Sequence, residues 1–194
     1  MSRDHAGRYT GPAIFFHWAI ATLMLANVGL AWSADLLGDA GRRMLIPVHV
    51  SIGLTVLLLV PLRLAWRRLN APPALPPVLA HWEAWLAHFV HGGLYLAMLA
   101  LPISGWIFLS ANRLSLTLQI RWFGLFVWPT IGPIAHLPAE QKAAWHTVFV
   151  DIHQVVAYLL YLLFVLHIAG LLKHRLYDRH DVLWRMLPWG RRPG

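Results

Sequence analysis

Charged side chains disappear from four long stretches of this sequence. Ala13 to Trp32, Met44 to Leu62, Ala84 to Asn112 and Ile152 to Leu172 contain no Asp, Glu, Lys or Arg, and only Asp151 interrupts the extension of the last run back to Ala143. About 20 apolar residues are needed for a helix to cross the hydrocarbon core of a bilayer. Lipid offers no hydrogen-bond partners, so a spanning segment has to satisfy its own backbone as a helix. The expected fold class is therefore all-α: an integral membrane four-helix bundle forming a single transmembrane domain over residues 1–194. The helices are expected near 12–33, 43–66, 83–110 and 143–174. Pro47 suits a first-turn position, and Pro61 and Pro102 fall late in their helices, where kinks are tolerated.

Composition agrees. Of 194 residues 58% are hydrophobic and only 12% charged, about half the charged fraction of a soluble domain. With no cysteine, disulfides, iron–sulfur clusters, thiolate-bound zinc and covalently attached c-type haem are excluded. The net charge of +8 is gathered in clusters between the apolar runs. That is the pattern of a membrane protein, not of a nucleic-acid binder. The eleven tryptophans suit interfacial belts. The first run resembles a secretory signal only superficially, since it exceeds the roughly 7–15 residues of a signal core and carries His17 and Asn27.

The connections are unequal. Residues 33–43 form a short first loop. The second, 67–83, is stiffened by Pro72, Pro73, Pro76 and Pro77. The third, 113–142, is long and rich in aromatic residues (Trp122, Phe123, Phe126 and Trp128) that suit the membrane interface. If the N-terminus is cytoplasmic, that side holds Arg3, Arg8, Arg63, Arg67, Arg68, Lys173, Arg175, Arg179, Arg185, Arg191 and Arg192. The other side holds Arg42, Arg43, Arg113, Arg121 and Lys142. The positive-inside rule then places both termini in the cytoplasm.

Histidine is the unusual component, with twelve in the chain. Helix 4 carries His153 near its periplasmic start and His167 near its cytoplasmic end. Their separation of fourteen residues is within about 40° of four full turns, and the rise is roughly 21 Å. One helical face thus offers a ligand at two depths. His49 matches the depth of His153, and His17 that of His167. Two levels, each with a histidine pair, suit two b-type haems stacked across a membrane, each held between helices by an imidazole on either face of the iron. An isolated intramembrane histidine can instead hydrogen-bond a neighbouring helix, but ionisable groups at membrane depth are costly and usually functional.

The other candidates divide. His88 and His91, three apart on one face, could line a quinone or proton site, replace His17 as a ligand, or simply bond another helix. Arg63, Arg67, Arg68, Lys173 and His174 lie near the inner site's depth. They could pair with haem propionates or act as positive-inside anchors. His146 could meet a periplasmic donor or a propionate, or be an ordinary interfacial histidine. His5, His81, His136 and His180 are expected to be solvated. Gly53, Gly92, Gly93 and Gly105 could allow close approach of helices or of a porphyrin.

These residues resemble the prokaryotic cytochrome b561 family along most of the chain. The segments that carry the resemblance are FFHWAIATLML, IPVHVSIGLTVLLLVPLRLAWR, LAHFVHGGLYLAMLALPISGW and DIHQVVAYLLYLLFVLHIAGLLKHRLYDRHDVLWRMLP. The last is the most specific. The resemblance implies two b haems in a four-helix bundle. By similarity to the cytochrome subunits of formate dehydrogenases, it pairs His17 with His167 and His49 with His153. Gln154 stands where relatives commonly have Glu, which alters the charge beside the outer haem but not the ligands.

The expected function is electron transfer between a periplasmic donor and membrane quinone. Some members of the family look like superoxide oxidases, and the five outer basic residues could steer an anion. The rival expectation is a haem-bearing anchor subunit passing electrons from a hydrogenase- or dehydrogenase-type partner to quinone. A transporter or structural bundle without cofactor is the remaining alternative.

Overall fold

The computed structural model describes residues 7–73, 80–117, 119–178 and 183–189. His5 and His180 lie outside the described residues. Four long helices dominate: α1 (Gly11–Leu36), α2 (Gly38–Leu69), α3 (His81–Ser110) and α5 (Ala139–Leu172). The last continues through a π-helical turn, Lys173–Tyr177. Between α3 and α5 lie a two-stranded antiparallel hairpin, β1 (Ile120–Trp122) with β2 (Phe126–Trp128), and the short helix α4 (Gly132–Ala135). All four long helices are long and apolar enough to span a membrane. In α5 only 6% of the most apolar stretch is buried within the protein. Its remaining apolar surface therefore requires lipid.

Two boundaries differ from expectation. The first connection is a single residue, Leu37, not residues 33–43. Gly38 takes φ +63, which only glycine adopts without strain, and α2 starts there. The polar run from Gly38 to Arg43 continues as helix, so Pro47 sits well inside α2 and not in its first turn. This reversal is tight: a Cβ on Gly41 would come within 2.5 Å of the Leu37 Cβ. The third connection is not all irregular. Phe123 (φ 47) and Gly124 (φ 75) make the left-handed turn that closes the hairpin. The Ser51 hydroxyl on α2 donates to the Pro47 carbonyl (2.8 Å) and accepts from the Phe123 amide (2.9 Å). The Trp122 indole N–H reaches Thr55 Oγ1 at 3.1 Å. The hairpin is thereby pinned to α2.

The packing forms two close helix pairs, α1 with α2 and α3 with α5. A seam between α2 and α3 joins them around Ile20, Val56, Val60 and Met98. Along the α3–α5 seam a Cβ on Gly93 would come within 2.9 Å of Leu163 Cδ1, so this glycine permits the close approach. α5 makes no comparable backbone contact with α1 or α2. The α1–α2 pair and α5 meet through side chains, among them Trp32 and Tyr161 with ring centres 5.6 Å apart, and the histidine pairs lie along that boundary.

The termini meet at one end of the bundle. Tyr9 N–H donates to Arg185 O (3.2 Å), Trp18 Nε1 to Met186 O (2.7 Å) and Arg8 to Leu187 O (2.6 Å).

Candidate functional site

The boundary between the α1–α2 pair and α5 contains histidines at two levels. At the loop end, the rings of His49 on α2 and His153 on α5 have centres 6.3 Å apart. At the termini end, His17 on α1 and His167 on α5 are 6.4 Å apart. All four side chains are half-buried. An imidazole nitrogen lies about 1.1 Å from its ring centre and binds a metal at about 2 Å, so two imidazoles on opposite sides of one metal have centres roughly 6.3 Å apart. Both pairs have the separation that a shared axial metal requires. Among the described residues, no group of three or more His, Cys, Asp and Glu could hold a metal ion. A metal held by either pair would need its remaining ligands from outside the protein, as a porphyrin supplies them. The residues thus fit the group.

The outer pair is oriented for ligation. The His49 Nδ1–H donates to the Asn27 carbonyl (3.0 Å). Ser104 Oγ donates to Leu101 O (2.9 Å), so it accepts from the His153 Nδ1–H (3.0 Å). In both residues Nε2 is left as the lone-pair nitrogen, the arrangement in which ligating histidines are usually held. Gly105 lies against the His153 ring, where a Cβ would stand 3.5 Å from Cε1. The Phe108 ring contacts both His153 (5.6 Å) and His146 (5.8 Å).

The inner pair differs. Arg63 Nη2 lies 3.1 Å from His17 Nδ1. A guanidinium has only donors, so His17 Nδ1 accepts. Ligation of His17 through Nε2 as an ordinary neutral imidazole requires Arg63 to give up this bond. Arg63 also stacks over Tyr95 at 5.1 Å, which offers it a second resting place.

The structure separates the remaining candidates. His91 comes close to His167, with ring centres 5.1 Å apart, about 1 Å short of the axial separation. His91 and His88 both bond back through Nδ1 to the carbonyl four residues earlier, at 2.6 Å each. Lys173 bonds Glu83 and Asp178, and His174 bonds Asp178 at 2.8 Å. Lys142, expected among the outer steering charges, is buried against Ser115 (3.0 Å). Arg42 is paired with Asp35 at 3.1 Å. His81 and His136 are exposed. Sequence reasoning missed Ser104 and Asn27 as partners of the outer histidines, because a helical Ser or a backbone carbonyl gives no signal in the sequence.

The chain is similar to known proteins over nearly its whole length. The family model described as prokaryotic cytochrome b561 matches residues 8–189. Cytochrome b561 homolog 2 of Escherichia coli is 29% identical, with 93% of this chain and 91% of the relative covered. Cytochrome b561 homolog 1 of the same organism is 25% identical over 93% and 97% of the two chains. A protein of Yersinia pestis named as a probable superoxide oxidase is 26% identical over 93% and 96%. With nearly its whole length matched, and with four helices long and apolar enough to span a membrane, the chain belongs to the prokaryotic cytochrome b561 family of haem-binding membrane electron-transfer proteins.

Proposed function

We propose that the protein is a di-haem b electron carrier of the bacterial inner membrane. In this reading His49 and His153 hold one haem near the periplasmic face, and His17 and His167 hold the other near the cytoplasmic face. The observation that carries it is the pair of ring separations, 6.3 and 6.4 Å, between α5 and the α1–α2 pair. A haem b held by these histidines would supply one-electron redox chemistry.

The protein's own groups supply the rest. Asn27 and Ser104 fix the outer imidazoles by accepting their Nδ1 protons. The guanidinium of Arg63 places a fixed positive charge beside the inner pair. The exposed His91 next to His167 is placed to meet a quinone, with His88 one turn away. Both termini face the cytoplasm by the distribution of Lys and Arg. The electron donor is periplasmic. Superoxide is the donor that the Yersinia relative's name suggests, and Arg43, Arg113 and Arg121 at the loop end would attract an anion.

A reduced-minus-oxidised spectrum of the purified protein, with haem quantified per chain, tests this directly. Two haems per chain are expected, and His153→Ala and His167→Ala should each lose one. A single haem in the parent, or two retained in either variant, overturns the assignment. Stopped-flow mixing of superoxide with protein and quinone tests the donor. Decay no faster than spontaneous dismutation excludes superoxide while leaving the haem reading intact.

A further inference from the structure

A cavity of about 200 Å³ opens at the termini end of the bundle, between the start of α1, the end of α2 and the segment after it. Three guanidiniums line it, those of Arg8, Arg63 and Arg67, and no carboxylate does. Arg63 and Arg67 are one turn apart on α2 and repel each other. Among the described residues, none of the three arginines has an ion-pair partner. Arg8 spends its Nη2 on the Leu187 and Pro188 carbonyls, while its Nε is buried without any partner. A buried, unpaired guanidinium nitrogen is costly unless an acceptor reaches it.

The backbone adds to the same demand. α1 begins at this cavity with Thr10 as its N-cap, and no side chain caps it. The first intrahelical bond is Ile14 N–H to Thr10 O, so the amides of Gly11 and Ala13 have no acceptor within the helix. The Thr10 hydroxyl is already engaged, accepting from the Trp66 indole at 2.9 Å. Three guanidiniums, the buried Arg8 Nε and the Ala13 residue of the first turn of α1 thus line one concave site beside Trp66.

We propose that this cavity binds a phosphate group, carried by an acidic phospholipid at the membrane surface. Guanidinium forks match phosphate oxygens, helix N-terminal amides receive them, and basic pockets between membrane helices take anionic headgroups. The bound phosphate offsets the repulsion of Arg63 and Arg67 and gives Arg8 Nε its acceptor. It also ties the chain's tail to α1 and α2. The site shares Arg63 with the His17 pair, since Arg63 also bonds His17 and stacks over Tyr95. The variants that test it are therefore set at Arg67 and Asn70, which touch none of the four histidines' bonds described above.

The test is thermal unfolding of the purified full-length protein in detergent micelles, with added phosphatidylglycerol, phosphatidylcholine or inorganic phosphate. Phosphatidylglycerol should raise Tm by several degrees, phosphatidylcholine should not, and Arg67→Gln should lose most of the shift. Asn70→Asp, which sets a carboxylate in the cavity wall, should lose it as well and serves if Arg67→Gln does not fold. The α-band should be unchanged in both. An equal Arg67-dependent shift with inorganic phosphate alone keeps the phosphate site but assigns it to the free anion. No shift with any anion, or a full shift retained in both variants, overturns the proposal.

Discussion

The ring of His91 stands 5.1 Å from that of His167, closer than the 6.4 Å between His167 and His17. Closeness is not the criterion for an axial ligand, since two imidazoles across one metal need roughly 6.3 Å between centres. His17→Ala should therefore lose one haem per chain, while His91→Ala should keep both and slow electron exchange with quinone. Haem content by pyridine haemochrome and quinone reduction rates separate the two roles. Loss of a haem in His91→Ala would exchange the assignments.

Ser104 provides a second test, at the outer site. Its hydroxyl oxygen accepts a hydrogen bond from the His153 Nδ1–H, and its own O–H donates to Leu101 O. Partners of this kind orient a ligand and raise its basicity, and losing one typically costs about 10–100-fold in metal affinity. Ser104→Ala should release the outer haem to apomyoglobin faster than the parent does. The remaining outer haem should titrate at a higher potential, because a less basic imidazole stabilises ferric iron less.

The parts of this site that a helix repeat controls are legible in the sequence. The fourteen-residue step from His153 to His167 returns nearly to the same face whatever the rest of the chain does. The four apolar runs define the long helices for the same local reason. What the sequence conceals depends on contacts between distant residues. The polar segment Gly38–Arg43 reads as a loop, yet it is helical because Gly38 turns the chain with a positive φ and Gly41 tucks against Leu37. The hairpin escapes an all-α reading because its strands are three residues each and dock by Ser51 and Thr55, some 70 positions earlier. The cavity at Arg8 needs the tail beyond Leu183 to fold back on residue 8, a contact that no local pattern announces.

Gly93 sets the distance between α3 and α5, and hence where α5 presents its histidines. An added Cβ meets Leu163 Cδ1 at 2.9 Å, the mobile end of a flexible side chain. Gly93→Ala should change stability little, because helix propensity gains roughly 0.5–1 kcal/mol against a small displacement of Leu163. Gly93→Val cannot be absorbed so easily and should cost about 1–3 kcal/mol, as overpacking usually does. Leu163→Ala in the Gly93→Val background should recover part of that loss. Unfolding in detergent by denaturant titration reads all three.

On the proposed assignment, Arg63 bears on the potential of the haem held by His17 and His167. Its positive charge beside His17 opposes the ferric state, which carries one charge more than the ferrous state. At an effective permittivity near 20, a charge several Å away contributes on the order of 1–2 kcal/mol. For a one-electron couple that corresponds to roughly 50–100 mV. Arg63→Gln should lower one of two midpoint potentials by about that amount and leave the other within error. Potentiometric titration of the α-band decides it, and equal shifts in both couples would show that Arg63 acts through the fold and not through its charge.

The π-helical turn that ends α5 should loosen in acid. Lys173, the stronger influence, and His174 both bond Asp178 and hold its carboxyl below the usual aspartate value. A depressed folded-state value means that the contribution to stability is fully present above the ordinary aspartate range, about pH 3.9. It is lost as the pH falls through the lower, folded value. Neutral solutions and mild acid should therefore leave the turn closed, with the Asp178 amide bonded to Lys173 O at 3.1 Å. Below about pH 4, hydrogen exchange over residues 173–178 should quicken beyond its intrinsic pH dependence. In Asp178→Asn the same amides should exchange faster at neutral pH and show no added change in acid. An unchanged acid response in that variant would assign the transition to another carboxylate, with Glu83 on the far side of Lys173 the first to examine.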